Sequence, residues 1–175
     1  GAGCPRLFGR RAGEIDGCAI EVLDLSPETF RGLDCVVHLS GITTSRAPEA
    51  ALQNVNIDLA VEVATAAAAA GVKRLVFVSS LHVHGKSASG PITPESPFNP
   101  DNAYGRSKVA AEAALGRIGT RTGLELVILR PPMVYGEAGK GSFSLLARLV
   151  RTGLPLPFGL ARGRRSFCSV GNLVS

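Results

Sequence analysis

Tyr104 and Lys108 stand four residues apart, and Ser80 lies upstream of both. On a helix a spacing of four puts two side chains on one face. Phenol, ammonium and hydroxyl together suit proton transfer at a carbinol. A phenol with a pKa of about 10 is a poor base at neutral pH, and a neighbouring ammonium stabilises the phenolate and lowers that value. The Ser80 hydroxyl can hydrogen-bond the same substrate oxygen and orient it. The carbinol carbon must then give up a hydride, and a nicotinamide cofactor is the acceptor this chemistry implies. Tyr and Lys also meet at this spacing by chance, so the pair gains weight only from the elements that carry it.

Those elements alternate. Arg6 to Gly9 and Ala19 to Leu23 read as strands, and Ser26 followed by Pro27 reads as a helix start with Ser26 as N-cap. Asp34 to Leu39 is a β-branched run ending at Ser40-Gly41, and a long helix from about Pro48 to Ala70 is stopped by Gly71. Leu75 to Ser79 is a continuous apolar run, the pattern of a strand buried on both faces, and Ser80 falls where it runs out. Ser87 to Pro100 reads as a loop and Asp101 to about Arg121 as the helix carrying Tyr104 and Lys108. Leu124 to Leu129 is the next buried strand, ended by Pro131-Pro132. A helix over Ser142 to Thr152, an irregular stretch over Leu154 to Phe158 and a short strand over Arg165 to Val170 complete the chain. This order predicts an α/β fold: a parallel sheet with helices on both faces. Ligands in such sheets sit outside the carboxyl ends of the strands. That singles out Asp24-Leu25, Ser40-Gly41, Ser79-Ser80 and Pro131-Pro132.

Composition excludes other classes. The 175 residues are 45% hydrophobic and 19% charged, a globular balance. The 21 Gly and 11 Pro are not periodic, which excludes a collagen-like chain. No apolar run reaches the roughly 18 residues of a membrane span, and no signal-peptide pattern opens the chain. The four cysteines have no CxxC spacing, offer no metal-ligand set and fit a reducing cytoplasm. The net charge is +5, and beyond Glu137 there are six basic residues and no carboxylate. That basic segment has three readings: a solvated face, a nucleic-acid patch, or a pocket for a phosphate-bearing ligand. Two Tyr and no Trp offer little for base stacking, whereas Arg forks pair well with phosphate oxygens.

The segments DCVVHLSG, NVNIDLAVEVA, GVKRLVFVSSLHVHG, NPDNAYGRSKVAAE, LVILRPPMVYG and RRSFCSVGNLV occur in order from residue 34 to the end. In them the chain resembles the extended short-chain dehydrogenase/reductases, the NAD-dependent epimerase/dehydratase family. The YGRSK and LRPP wording is most similar to bacterial UDP-sugar 4-epimerase-like members. The resemblance implies a Rossmann-like NAD(P)-binding domain over residues 1–130 and the start of a substrate-binding region over 131–175. It implies Ser80, Tyr104 and Lys108 as catalytic triad, with Lys108 also on the nicotinamide ribose. It places Asp24 and Leu25 by the adenine, and Leu39, Ser40 and Gly41 along the ribose and phosphates. Asn56 falls near the active site, Pro131 and Pro132 beside the nicotinamide. Ser80, Phe158 and Arg165 are implied on the substrate side, Arg165 at the diphosphate. The basic segment then reads as the start of a nucleotide-sugar site rather than a nucleic-acid patch. Partners implied are a nucleotide sugar, UDP-linked, and a second copy in a homodimer, with no nucleic acid and no membrane.

Three departures qualify the resemblance. The 4,6-dehydratase branch has an Asp-Glu pair after its Ser/Thr, and Leu81-His82 stands there, which argues against hexose dehydration. His82, His84 and His38 are expected to be structural. Gly9-Arg10-Arg11 stands where an acidic residue often holds the adenosine ribose; two Arg favour NADP as an alternative to NAD, or form an exposed turn. The glycine-rich GxxGxxG loop that meets the pyrophosphate at a helix N-terminus is not found, and Gly171-Asn172-Leu173-Val174 reads as only the start of a helix, so the fold is expected to be incomplete at both ends. Three functions stay open: a 4-epimerase working through a 4-keto sugar, a keto-sugar or carbonyl reductase, and a non-catalytic nucleotide-binding module. The 175-residue chain by itself is expected to bind NAD weakly in calorimetry, and tight binding would show that the glycine loop is dispensable.

Overall fold

The computed structural model describes residues 6–9, 13–15, 18–86, 90–136, 142–153 and 165–175. Three short strands come first: β1 (Leu7–Gly9), β2 (Gly13–Ile15) and β3 (Cys18–Val22). β3 is central, parallel to β1 and antiparallel to β2. β2 has no signature in the sequence, being three residues of which the first is Gly. α1 (Pro27–Phe30) is a single turn. Ser26 holds its N-cap position with extended backbone, but its hydroxyl donates to Asp24 Oδ2 at 2.9 Å instead of capping the helix.

The central sheet has the order β4 (Cys35–His38), β5 (Arg74–Val78), β6 (Glu125–Leu129), all parallel. The crossovers are helical. The first is one continuous rod made of α2 (Glu49–Leu52), a π-helical segment (Gln53–Asp58) and α3 (Leu59–Ala69). The second carries α4 (Ala103–Thr122), capped by Asn102, whose side chain accepts from Gly105 N at 2.8 Å. Gly123, at φ +78°, ends α4 with a left-handed turn that a Cβ would strain. A second parallel pair, β7 (Met133–Tyr135) and β8 (Phe167–Ser169), follows with α5 (Ser142–Arg151) and α6 (Val170–Val174). β7 starts directly beyond Pro131-Pro132 and was hidden by them.

Parallel register puts Val36, Leu75 and Leu126 on one face of the central sheet, together with His38, Phe77 and Ile128. That face closes against Ala60, Val63, Ala64 and Ala67 of α3 and Ala111, Leu115 and Ile118 of α4. Small residues on α3 allow the close approach that the Ala-rich sequence suggests. β5 nevertheless alternates: Leu75 and Phe77 are buried while Val76 and Val78 are half-buried, and Val37 beside them is 56% exposed. The apolar run of β5 therefore meets helices fully on one face among the described residues. The result is a Rossmann-like parallel sheet with helices.

Two glycines on α4 have opposite surroundings. Gly116 has open space where a Cβ would go, whereas a Cβ on Gly105 would lie 2.6 Å from the His82 carbonyl oxygen. Urea unfolding is expected to find Gly116→Ala more stable by about 0.5–1 kcal/mol. Gly105→Ala is expected to be less stable by about 1–3 kcal/mol. Equal effects would contradict this packing.

His38 is buried and stacked on Phe77. Burial, then the Lys108 charge, push its pKa down to about 4 against the pull of the Ser40 backbone. The unfolded chain therefore binds this proton at a higher pH than the folded one. Between about 6.5 and 4 the stability falls as pH falls. The stability advantage of wild type over His38→Leu should shrink across that window, by up to roughly 1.4 kcal/mol per pH unit. Parallel pH curves would exclude His38 as the titrating group.

Candidate functional site

Ser80 is the residue at which β5 leaves the sheet. Ser79 N still donates to Leu129 O at 2.7 Å, and Leu81 N donates to Pro131 O at 3.0 Å, so the strand end is tied to β6 on both sides of Ser80. The chain then enters a 3-10 turn (Leu81–His84), and Ser80 Oγ accepts from His82 N at 3.2 Å. Accepting that bond leaves the hydroxyl proton free to donate. Tyr104, in the first turn of α4, is 8% exposed, as is Ser80. Burial pushes the Tyr104 phenol above the usual range, and the neighbouring Ser80 hydroxyl pulls it back. The ring of His82 meets the Tyr104 ring edge-on, with centroids 5.7 Å apart.

Lys108 lies one turn further along the same face and is 3% exposed. Its Nζ donates to Val78 O at 3.0 Å and sits 4.6 Å from the centre of the Phe77 ring. Burial pushes its pKa down to about 8, opposed by the charge of Glu112. The sequence suggests that the ammonium acts on the phenol. In this geometry the counterweight to Tyr104's burial is Ser80, and Lys108 faces the carboxyl end of β5.

The turn after β4 completes the wall. Asn56 is fully buried in the π-helical segment, a distortion often placed at functional sites. Its Oδ1 accepts from Ile42 N at 2.7 Å, and its Nδ2 donates to Ile42 O at 3.1 Å and to Ser107 Oγ at 2.9 Å. Ser107 Oγ in turn donates to Tyr104 O at 2.8 Å. The Asn56 amide thus ties the Gly41-Ile42 turn to α4. A Cβ on Gly41 would lie 3.2 Å from Lys108 Nζ and 3.3 Å from Asn56 Oδ1. Gly41 is therefore a cradle that keeps the ammonium reachable from the turn.

The structure brings Ser80, Tyr104, Lys108, Gly41 and Asn56 together, with Pro131 and Pro132 half-buried just beyond β6. Leu39 and Ser40 are exposed on the turn, Leu39 at 74%. Asp24 and Leu25 lie past the end of β3, in the other three-stranded unit, with the Asp24 carboxylate exposed. Arg165 is exposed just before β8, while Phe158, Arg10 and Arg11 lie outside the described residues. Sequence reasoning passed over Phe77, which floors Lys108, and Ser107, which links Asn56 to Tyr104. Their signals were position only: Phe77 three before Ser80, and Ser107 beside Lys108.

The arrangement fits a nicotinamide nucleotide. An ammonium has three donors, and Val78 O takes one. Gly41 leaves room beside the ammonium, whose Nζ would lie 3.2 Å from a Cβ there, and an exposed strand-end ledge runs from Leu39 to Gly41.

Comparison with known proteins agrees. The model of the NAD dependent epimerase/dehydratase family matches residues 9–175. A UDP-glucose 4-epimerase of Vibrio cholerae is 35% identical over 172 residues, covering 91% of this chain and 52% of that protein. A uronate dehydrogenase of Pseudomonas syringae pv. tomato is 31% identical over 152 residues, covering 82% and 55%. Among solved structures, MoeE5 in complex with UDP-glucuronic acid and NAD superposes with a TM-score of 0.76 at 26% identity, covering 95% of this chain and 60% of that one. A UDP-N-acetylglucosamine 4-epimerase from Bacillus cereus superposes with a TM-score of 0.80 at 22% identity, covering 94% and 60%, which speaks for the fold. The chain spans about half the length of the curated relatives it matches. With the family model matching residues 9–175, the chain belongs to the NAD-dependent epimerase/dehydratase family.

Proposed function

We propose that the chain carries the catalytic part of an NAD-dependent enzyme that 4-epimerises a UDP-sugar through a 4-keto intermediate. The observation that carries this is the convergence of Ser80, Tyr104 and Lys108 at the carboxyl end of β5. The 35% identity to a UDP-glucose 4-epimerase supports the substrate class.

Tyr104 is the proton-transfer group. Its burial favours the neutral phenol, so it needs partners that favour the phenolate when a substrate arrives. Ser80 is one, since its hydroxyl can donate to the phenol oxygen or to the substrate oxygen beside it. Lys108 is the second: the ammonium is already desolvated, and a charge in a low-dielectric site acts more strongly than in water. Lys108 also holds the ribose hydroxyls of the cofactor, with Gly41 giving access to the ammonium. When bound, the nicotinamide group supplies the hydride exchange at the carbinol carbon. Tyr104 takes the proton of the sugar hydroxyl while Ser80 holds its oxygen, the 4-keto sugar turns over to present its other face, and Tyr104 returns the proton to the inverted centre. Asp24 and Leu25 are assigned to the adenine end, Pro131 and Pro132 to the nicotinamide side, and Arg165 to the substrate diphosphate. Residues 131–175 then begin the substrate-binding region, and a homodimer is the assembly this reading takes.

A dehydrogenase is the second reading, favoured by the 31% identity to a uronate dehydrogenase. The two differ in what happens to the cofactor. The whole protein, given UDP-hexoses and a substoichiometric amount of NAD, is expected to form the 4-epimer by NMR. Tyr104→Phe should lower kcat at least roughly 100-fold with cofactor binding retained. Cofactor reduced in step with substrate loss, with no epimer formed, would establish the dehydrogenase instead.

A further inference from the structure

Directly behind the reacting groups lies an ion pair, its carboxylate buried and its guanidinium half-buried, that proton transfer itself does not use. Glu112 is four residues past Lys108 and eight past Tyr104, so all three lie on one face of α4. It is 5% exposed, and its carboxylate is fully engaged. Arg130 Nε donates to Oε1 at 3.1 Å and to Oε2 at 3.2 Å, and Arg130 Nη2 donates to Oε2 at 2.7 Å. The Ser79 hydroxyl donates to Oε1. Arg130 stands just beyond β6, its Nη1 donating to Pro94 O at 2.9 Å and its guanidinium 4.8 Å from the centre of the Phe98 ring. Phe98 stacks on His84, and Asn99 N donates to Val83 O at 2.9 Å.

One ion pair therefore joins α4, the last residue before Ser80, the end of β6 and the loop that closes over the 3-10 turn. Stability alone is a poor reason for it. Buried ion pairs are often replaceable by apolar side chains at no loss, because desolvation offsets the attraction. What an apolar replacement would not keep is direction: a bidentate fork fixes both partners in a plane.

We propose that the Glu112–Arg130 pair is a positioning clamp, which through Ser79 presents the Ser80 hydroxyl to Tyr104 and through α4 sets where the Lys108 ammonium stands. This rests on the reading of Ser80, Tyr104 and Lys108 as the reacting groups, but not on the substrate. The polar and charged groups facing Lys108 are few among the described residues. His38 comes from β4, neutral above about pH 4; the Val78 carbonyl comes from β5; Asn56 comes from the π-helical segment, its Oδ1 on the same Gly41 side as the ammonium; Glu112 comes from α4 itself. Arg130 reaches this set only through Glu112. Glu112 is then the one anion opposing the burial of Lys108 among them.

The test needs no turnover. The 175-residue chain has two tyrosines and no tryptophan, so in a Tyr135→Phe background of that chain the phenolate absorbance near 295 nm reports Tyr104 alone. The ammonium of Lys108 is followed by carbon-13 NMR of labelled lysine, assigned with Lys108→Met. In Glu112→Gln, which keeps the shape and the acceptor for Ser79, the Lys108 midpoint is expected to fall by about half a pH unit or more. In Ser79→Ala the Tyr104 midpoint is expected to rise by about as much, as the Ser80 hydroxyl loses its register, while Lys108 keeps its own midpoint. If Glu112→Gln does not fold, Arg130→Lys keeps the charge, loses the fork and should raise the Tyr104 midpoint alone. Folded variants with lower melting temperatures but unmoved midpoints would make the pair structural only and overturn the proposal. If the midpoints move but the protein epimerises no UDP-sugar, the clamp stands and the functional reading fails.

Discussion

Helix α4 can lie against the turn that follows β5 because Gly105 has no side chain. A Cβ there would meet the His82 carbonyl oxygen at 2.6 Å and Pro100 Cβ at 3.1 Å. Every other feature of the site depends on that approach. It brings Tyr104 beside Ser80 and lets Lys108, one turn on, reach Val78 O across the Phe77 ring. It also lets Ser107 meet the amide of Asn56, which holds the Gly41-Ile42 turn. Strand ends and helix face are thus fastened by buried and part-buried polar bonds.

Burial has a cost that the structure meets in specific ways. Lys108, Asn56 and Glu112 are each 5% exposed or less. Asn56 satisfies its amide with the backbone of Ile42 and with Ser107, and the π-helical segment supplies the odd spacing this needs. Lys108 is satisfied more sparingly, by one carbonyl and an aromatic face, and its pKa drops to about 8. A group held so close to its ionisation point, with donors to spare, suits a role in holding a ligand hydroxyl and tuning a neighbouring phenol. His38, pushed down to about 4, stays uncharged beside it and adds no competing cation near neutral pH.

Much of this was legible in the sequence, and the reasons are local. The spacing of Tyr104 and Lys108 fixes a shared helix face, and the apolar run into Ser79-Ser80 fixes a strand end, so the three meet once the strands are parallel. The parallel order follows from alternating strands and helices. What stayed hidden depends on long-range packing. β2 and β7 are three residues long, and β7 stands directly behind Pro131-Pro132, which read as the end of a strand. The first long helix turns π-helical where Asn56 reaches across to Ser107, 51 residues away. The half-open face of β5 comes from what packs on it, which its own apolar run does not record. Ser26 sits where a cap belongs, yet its hydroxyl prefers the nearer Asp24 carboxylate.

The central claim is that Ser80 and Tyr104 share one substrate oxygen while Lys108 holds the cofactor ribose. A crystal structure of the whole protein with NAD and a UDP-sugar tests it most directly. The account predicts Ser80 Oγ and Tyr104 Oη both within about 3 Å of a single sugar hydroxyl oxygen, with Lys108 Nζ bonded to the ribose hydroxyls beside Gly41. A sugar bound with Tyr104 out of hydrogen-bond reach, or a ribose held away from Lys108, would contradict it.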